Sequence, residues 1–242
     1  MFASVLSPRI YRYRGHLLKY AGEFVIIFCS ITFTWWFDEW RQEQNDRKEE
    51  ARLLINLRSN LDLDSINLNS ELNYILKSKY TFDSFLDKLE KKNFTDSDSS
   101  GFLLRKLIVA PEFHPNKATF EAIKSTGELK LIQDDTLALS IMNLYEVTYQ
   151  ELNFLIEIYN QTSIQTIWNY SIENHDLLRV LGAPEERIFK FEFNDDKERQ
   201  LLINKIMFTE MAVVYSKFRL NRTLDQIRDL KSRINRRLLE LG

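Results

Sequence analysis

The side chains that could do acid–base, nucleophilic or metal chemistry are scattered along this sequence. The three histidines are His16, His114 and His175, and only His175 has acidic neighbours, Glu173 and Asp176. That group lacks a second set of ligands at metal-binding spacing. The sequence also contains no phosphate-binding glycine loop and no glycine-flanked serine nucleophile. We therefore expect a protein that is not an enzyme and that uses no metal or other cofactor.

Four polar residues with helical spacing lie in and beside an apolar stretch near the N-terminus. Glu23, Ser30, Thr34 and Asp38 fall on one face of a helix. An ionisable group in a membrane span marks a functional site by default, and hydroxyls can bond between helices. We expect this membrane polar face to mediate assembly with copies of itself or with another membrane protein. In the alternative, Glu23 pairs with Lys19 near the interface and the hydroxyls bond their own backbone.

The stretch that carries these residues, 20–37, contains a single charged side chain and predicts one membrane-spanning helix. At 1.5 Å per residue it covers roughly 27 Å, close to the hydrocarbon thickness of a bilayer. The lipid bilayer is thus the first predicted partner, and four aromatic residues suit its two interfaces as anchors: Tyr20, Trp35, Trp36 and Trp40. A buried core helix and a signal peptide are the alternatives, but no small residue follows the run to allow signal cleavage.

The charges that flank the span predict its orientation. Residues 1–19 contain four basic side chains and no acidic one, whereas residues 38–50 contain six acids and three bases. Because lysine and arginine stay on the cytoplasmic side, we expect a cytoplasmic tail and an outer domain formed by residues 38–242. The protein would sit in the inner (plasma) membrane with its main domain in the periplasm or outside the cell. The opposite orientation remains open.

Composition predicts that the outer domain is folded and helical. Charged residues make up 28% of the chain and hydrophobic residues 44%, with only six glycines and four prolines. A net charge of −2 argues against a nucleic-acid partner. The single cysteine, Cys29, lies in the span, which excludes an intramolecular disulfide.

The spacing of apolar residues predicts an all-α fold, in which the span continues into a long-helix antiparallel bundle with coiled-coil character. No glycine or proline occurs between Asp38 and Lys92, and apolar residues recur there at steps of three and four, interrupted by Asp64 and Lys79. The further expected elements are a loop at 93–101, a short helix at 102–109, a helix at about 117–126 capped by Gly127, a helix from Asp134 or Asp135 to about Val180, an extended segment at 189–193, and a last helix at about 195–241.

The third helix is expected to bury Leu137, Ile141, Leu144, Thr148, Leu152, Leu155 and Tyr159. The last helix would pair antiparallel with the first outer helix. It carries a basic C-terminal face that includes Arg228, Arg233, Arg236 and Arg237. Either the acidic segment 38–50 or anionic lipid would be the partner of this face, and a merely solvated helix face is the alternative.

Two patches of the sequence resemble a known family. The first is Gly22-Glu23, an apolar run, Trp40 and a charged helix from Arg41 to Asp64, and the second is residues 116–132. Together they resemble an uncharacterised family of single-pass membrane proteins common in Bacteroidota. The resemblance implies an N-terminal span and a helical outer domain, and almost nothing about function. The chain departs from the family at Ser30 and Thr34, where smaller residues are usual, and in the bulk of residues 35–37.

These observations predict a membrane-anchored, non-enzymatic scaffold or partner-binding subunit of an envelope complex. Two other functions remain open. The chain could be a sensor subunit that lacks its own output domain, or a homo-oligomeric pore in which the membrane polar face lines water.

Overall fold

The structure, a computed structural model, describes the backbone of residues 9–91, 111–174, 193 and 195–242, with most of their side chains from Tyr20 onward. It divides into two compact units, Met1–Arg52 and Leu53–Gly242. The predicted loop at 93–101, the short helix at 102–109, residues 175–180 of the third helix and residues 189–192 of the extended segment lie outside the described residues.

The described part of the chain is all-α, as predicted. Helix α1 is Arg9–Lys91, α2 is Ala118–Thr126, and a 3-10 turn follows at Glu128–Leu131. Helix α3 covers residues 135–174 and contains two π-helical turns; its segments are Asp135–Asn143, the π turn Leu144–Thr148, Tyr149–Ser163, the π turn Ile164–Trp168, and Asn169–Asn174. Helix α4 is Asp196–Leu241.

The first unit contains the apolar part of α1. Its most apolar window of 18 residues has a mean hydropathy of 1.3, and none of that window is buried. A core helix of the same composition would be mostly buried. Among the described residues, α1 is therefore one candidate membrane-spanning helix, near the N-terminus.

The second unit is built on the antiparallel pairing of α1 and α4, as predicted. Fully or almost fully buried apolar residues recur at every seventh position in both helices: Leu54, Leu61, Leu68, Ile75, Phe82 and Leu89 in α1, and Ile206, Val213, Leu220, Ile227 and Ile234 in α4. This is the spacing with which two helices pack side by side. The direction follows from two contacts, because Arg58 Nη1 donates to Asn235 Oδ1 at 2.9 Å while Arg199 Nη1 donates to the Leu89 carbonyl at 2.9 Å.

Helix α3 completes the bundle, parallel to α1 and antiparallel to α4. Tyr149 contacts Asp64 of α1, while Arg233 of α4 donates to Ser140 Oγ at 2.7 Å. Nearer the other end of the bundle, the hydroxyls of Thr166 and Thr209 lie 2.8 Å apart. The three long helices thus bury one continuous core.

The π turns change which side chains of α3 face that core. Thr148 and Leu155, expected to be buried, are only partly buried, whereas Tyr145, Tyr149 and Ile156 are buried. A π turn adds a residue to a helical turn and so shifts the register of the residues around it. The first π turn, Leu144–Thr148, brings both tyrosines inward.

The ends of the helices follow the expected chemistry. Gly127 has φ 74°, the left-handed conformation that favours glycine after a helix. The Asp134 carboxylate accepts from the Leu137 amide at 3.0 Å and caps α3, and the Asp195 carboxylate accepts from the Glu198 amide at 2.8 Å and caps α4.

Candidate functional site

The four residues of the membrane polar face all lie on α1, and their side chains are exposed. Ser30 Oγ donates to the Ile26 carbonyl at 2.8 Å, and Thr34 Oγ1 donates to the Ser30 carbonyl at 2.9 Å. Each hydroxyl proton is therefore used within the helix, the arrangement that the alternative prediction describes. Glu23 and Asp38 remain exposed carboxyl groups, and the side chain of Lys19 lies outside the described residues. An assembly or pore function for this face stays a prediction.

The aromatic residues predicted to anchor the span share one property. Tyr20, Trp35, Trp36 and Trp40 are all at least half exposed. Trp36 packs on the Phe33 ring with centroids 6.2 Å apart, and Trp40 packs on Phe37 at 5.8 Å. Their large amphipathic rings are available to a surrounding medium, which is what an interfacial anchor requires.

The predicted basic C-terminal face is used partly inside the bundle. Arg233 binds Ser140 of α3, and Arg237 donates to Gln133 Oε1 at 3.2 Å. Arg228 pairs with Asp225 on its own helix at 2.8 Å, and Arg236 is exposed. Two of the four arginines thus hold α4 to the start of α3, so the structure does not present all four on one free surface.

A buried cluster of polar groups forms around Asp64, which the sequence marked only as an interruption of the apolar seam. Asp64 is completely buried and accepts three hydrogen bonds of 2.8 Å. Two come from Asn116, through its backbone amide and its side-chain amide, and the third from the Tyr149 hydroxyl. Asn60 in turn donates to the Asn116 carbonyl at 3.3 Å. One carboxylate therefore joins α1, the segment before α2, and α3.

Two tyrosines four residues apart surround this carboxylate but differ in their hydrogen bonds. Tyr149 is bonded to Asp64, whereas the buried Tyr145 hydroxyl has no hydrogen-bond partner among the described residues. Burial, followed by the negative charge of Asp64, raises the pKa of both phenols well above the usual value, and for Tyr149 the bond to Asp64 adds to the effect. Both stay neutral at physiological pH, so the cluster is a set of fixed hydrogen bonds and not a source of protons.

The packing around the cluster also fixes its position. The Tyr145 ring stacks on Phe120 of α2 with centroids 4.5 Å apart and planes 5° from parallel. The Tyr149 ring meets Phe113 edge-on at 5.2 Å. Tyr145 and Tyr149 contact each other edge-on at the same distance. These contacts and the three hydrogen bonds to Asp64 point to a structural role, in which the cluster fixes how residues 111–126 pack on the bundle.

Metal chemistry has no support in the described part of the chain, where no three His, Cys, Asp or Glu side chains come together. His114 is exposed and lies 3.7 Å from Glu112. Of the group formed by Glu173, His175 and Asp176, the last two residues lie outside the described residues.

A surface that the sequence analysis missed runs along the N-terminal half of α4. Six large apolar side chains are about half exposed or more and lie together: Met207, Phe208, Met211, Val214, Tyr215 and Phe218. We call this set the α4 outer face. It lies beside the core residues of the same helix, so α4 is apolar on two faces over about three turns. A second set of apolar residues at steps of three and four was the available sequence signal.

Among the described residues, the charged side chain that lines the α4 outer face is Glu210. Glu210 is paired with Lys79 of α1 at 2.9 Å, and Arg219 is paired with Glu151 of α3. Lys79 also pairs with Asp83 at 2.9 Å, so a single cation serves two carboxylates beside this face.

Comparisons with known proteins add no relative, since no family model, curated protein or solved structure matches the chain. The resemblance to the single-pass membrane family therefore stays a prediction.

Proposed function

We propose that this chain is a membrane-anchored, non-enzymatic helical protein that binds a partner and acts as a scaffold subunit of an envelope complex. The observation that carries the proposal is the α4 outer face. Large exposed apolar patches on a folded domain mark interaction surfaces, because leaving them in water is unfavourable. Met211, at the middle of the face, is 70% exposed although the same helix buries a complete core seam.

The candidate span supports the anchoring part of the proposal. Its apolar window is unburied, and its predicted interfacial aromatic residues are exposed. The basic residues before it and the acidic residues after it favour an N-terminus in the cytoplasm and a main domain outside the inner membrane. Reporter fusions at the two ends of the full chain test this orientation. An active periplasmic reporter on the N-terminus would refute it.

Site-specific photo-crosslinking in the native membrane tests partner binding. A photoreactive residue at Met211 is expected to give a defined adduct with another molecule. Leu239 is the matched control, because it is also an exposed apolar residue of α4, is 84% exposed, and lies outside the outer face. Absence of an adduct at Met211, or equal yields of the same adduct at both positions, would refute the proposed use of this surface.

A further inference from the structure

A regular row of exposed side chains runs through the α4 outer face and continues towards the start of the helix. Its six members follow each other at strictly alternating steps of three and four residues: Leu201, Asn204, Phe208, Met211, Tyr215 and Phe218. All of them are exposed, and we call them the outer row. Alternating steps of three and four are the heptad spacing of a two-stranded coiled coil, in which each helix presents such a row to the other. The row extends over roughly 26 Å of α4.

The area of the exposed surface fits an interface between two copies of the chain. The six side chains of the α4 outer face are each about half exposed or more. Because a large side chain offers roughly 150–250 Å², these six together leave on the order of 600 Å² in water on each copy. A stable interface buries about 800 Å² per partner. Contact between two outer faces, extended at one end by Leu201 and Asn204, therefore supplies most of the area that a dimer needs.

The charges around the outer row are compatible with a second copy. The row contains no charged side chain, and Glu210 lies beside it and is paired with Lys79. Pairing two rows would therefore bury no charge, which removes the main cost of such a contact.

The residues that flank the outer row favour a parallel arrangement of the two helices. On one side lie Gln200, Met207 and Val214, which are uncharged, and on the other lie Lys205, Ala212 and Arg219. In a parallel two-stranded coiled coil, each flank of one helix faces the opposite flank of its partner. Each cation would then face an uncharged side chain. In an antiparallel pair, the flanks that carry Lys205 and Arg219 would face each other, which is unfavourable.

Two features favour a second copy over a different protein as the occupant. Identical rows match each other in length and step, and most soluble oligomers pair the same surface patch across a two-fold axis. Copies anchored in one membrane, as proposed above, also meet at a raised effective concentration. Because the buried seam already holds α4 in the bundle, pairing does not have to nucleate a helix.

We infer that two copies of this chain pair in parallel through the outer rows of their α4 helices, about a two-fold axis. Met211 of each copy lies at the contact and faces Met211 of the other. The inference rests on the proposed partner-binding function and specifies the partner as a second copy.

Disulfide crosslinking in the native membrane tests this arrangement. The only cysteine, Cys29, is first removed by Cys29→Ser, and Met211→Cys is added to that variant of the full chain. Mild oxidation is expected to give a covalent dimer, in about tenfold higher yield than in the control Leu239→Cys, because only facing residues approach closely enough for a disulfide. Equal yields at the two positions would overturn the inference. So would a photo-adduct at Met211 with lipid or a different protein, although the proposed partner binding would stand. No photo-adduct at all would overturn the proposed function itself.

The mass of the detergent-solubilised chain provides an independent measurement. Met211→Glu places two carboxylates at the contact, so the mass found by light scattering is expected to fall by half, from dimer to monomer. Leu239→Glu is the matched control and should keep the mass of the dimer. An unchanged mass in Met211→Glu would refute pairing through the outer row. Equal melting temperatures of the two variants would show that the lost association does not come from unfolding.

Discussion

The hydrogen bond between Tyr149 and Asp64 allows a stability prediction with an internal control. Tyr149→Phe removes the 2.8 Å bond to a completely buried carboxylate and leaves the ring packing in place. A hydrogen bond to a charged group contributes about 1.5–3 kcal/mol. For a folded unit of roughly 190 residues, that loss lowers the melting temperature by roughly 3–12 °C. Tyr145→Phe removes a buried hydroxyl that has no described partner, so it should leave stability unchanged or slightly raise it.

The assay is thermal unfolding of the detergent-solubilised full chain, followed by far-UV circular dichroism. The two variants make the same chemical change in the same helix, at two rings that contact each other edge-on. Equal melting temperatures for the two variants would refute the distinction drawn between the phenols. A double-mutant cycle with Asp64→Asn then measures the coupling directly, and a coupling near zero would show that Tyr149 acts only through packing.

Three further predictions follow from other parts of the structure. Burial, followed by the charge of Glu198, raises the pKa of Tyr170 to about 12. The neutral phenol therefore contributes its full stability below pH 10, and this contribution is lost as the pH rises towards 12. The melting temperature of the protein should fall over this window, and it should fall less steeply in Tyr170→Phe. Gly127→Ala should cost about 1 kcal/mol because its φ of 74° is strained for alanine although no atom crowds the added Cβ, and Gly127→Asn should cost less in the same melting assay. Because Ser30 and Thr34 bond their own helix, the variant Ser30→Ala, Thr34→Val should keep the oligomeric mass found by light scattering, and a changed mass would instead support their predicted role in assembly.

Apolar spacing and turn chemistry predicted most of the fold, because each rests on local physics. The apolar seam of α1, the capping Asp134 and the glycine after α2 follow from side chains close to one another in sequence, and the antiparallel α4 follows from two helices of similar length. The register of α3 could not be predicted in this way. The π turn at Leu144–Thr148 places Tyr149 on the buried face instead of Thr148. A pattern with a period of 3.6 residues does not predict where a π turn occurs.

The polar cluster around Asp64 could not be predicted from local sequence patterns either. Asp64 lies in the apolar seam of α1, where the spacing of apolar residues identifies it only as an interruption. It is satisfied by Asn116 and Tyr149, which lie 52 and 85 residues later in the chain. Only tertiary structure brings together groups at that separation, so the sequence could mark Asp64 as unusual but could not supply its partners.

The buried seam of α4 and the α4 outer face differ in whether the fold requires them. One apolar seam is enough to hold α4 in the bundle, and that seam is complete from Leu202 to Ile234 with only small hydroxyl residues between its apolar members. The outer face is therefore not required for folding, and replacing Met211 or Phe218 with a polar residue should not cost the stability that a core substitution costs. This independence from the core is what supports the proposal that the six exposed side chains serve an interaction outside the fold of the domain. Polar replacements at these two positions are therefore expected to abolish binding without unfolding the domain, which a melting curve of the same variant checks.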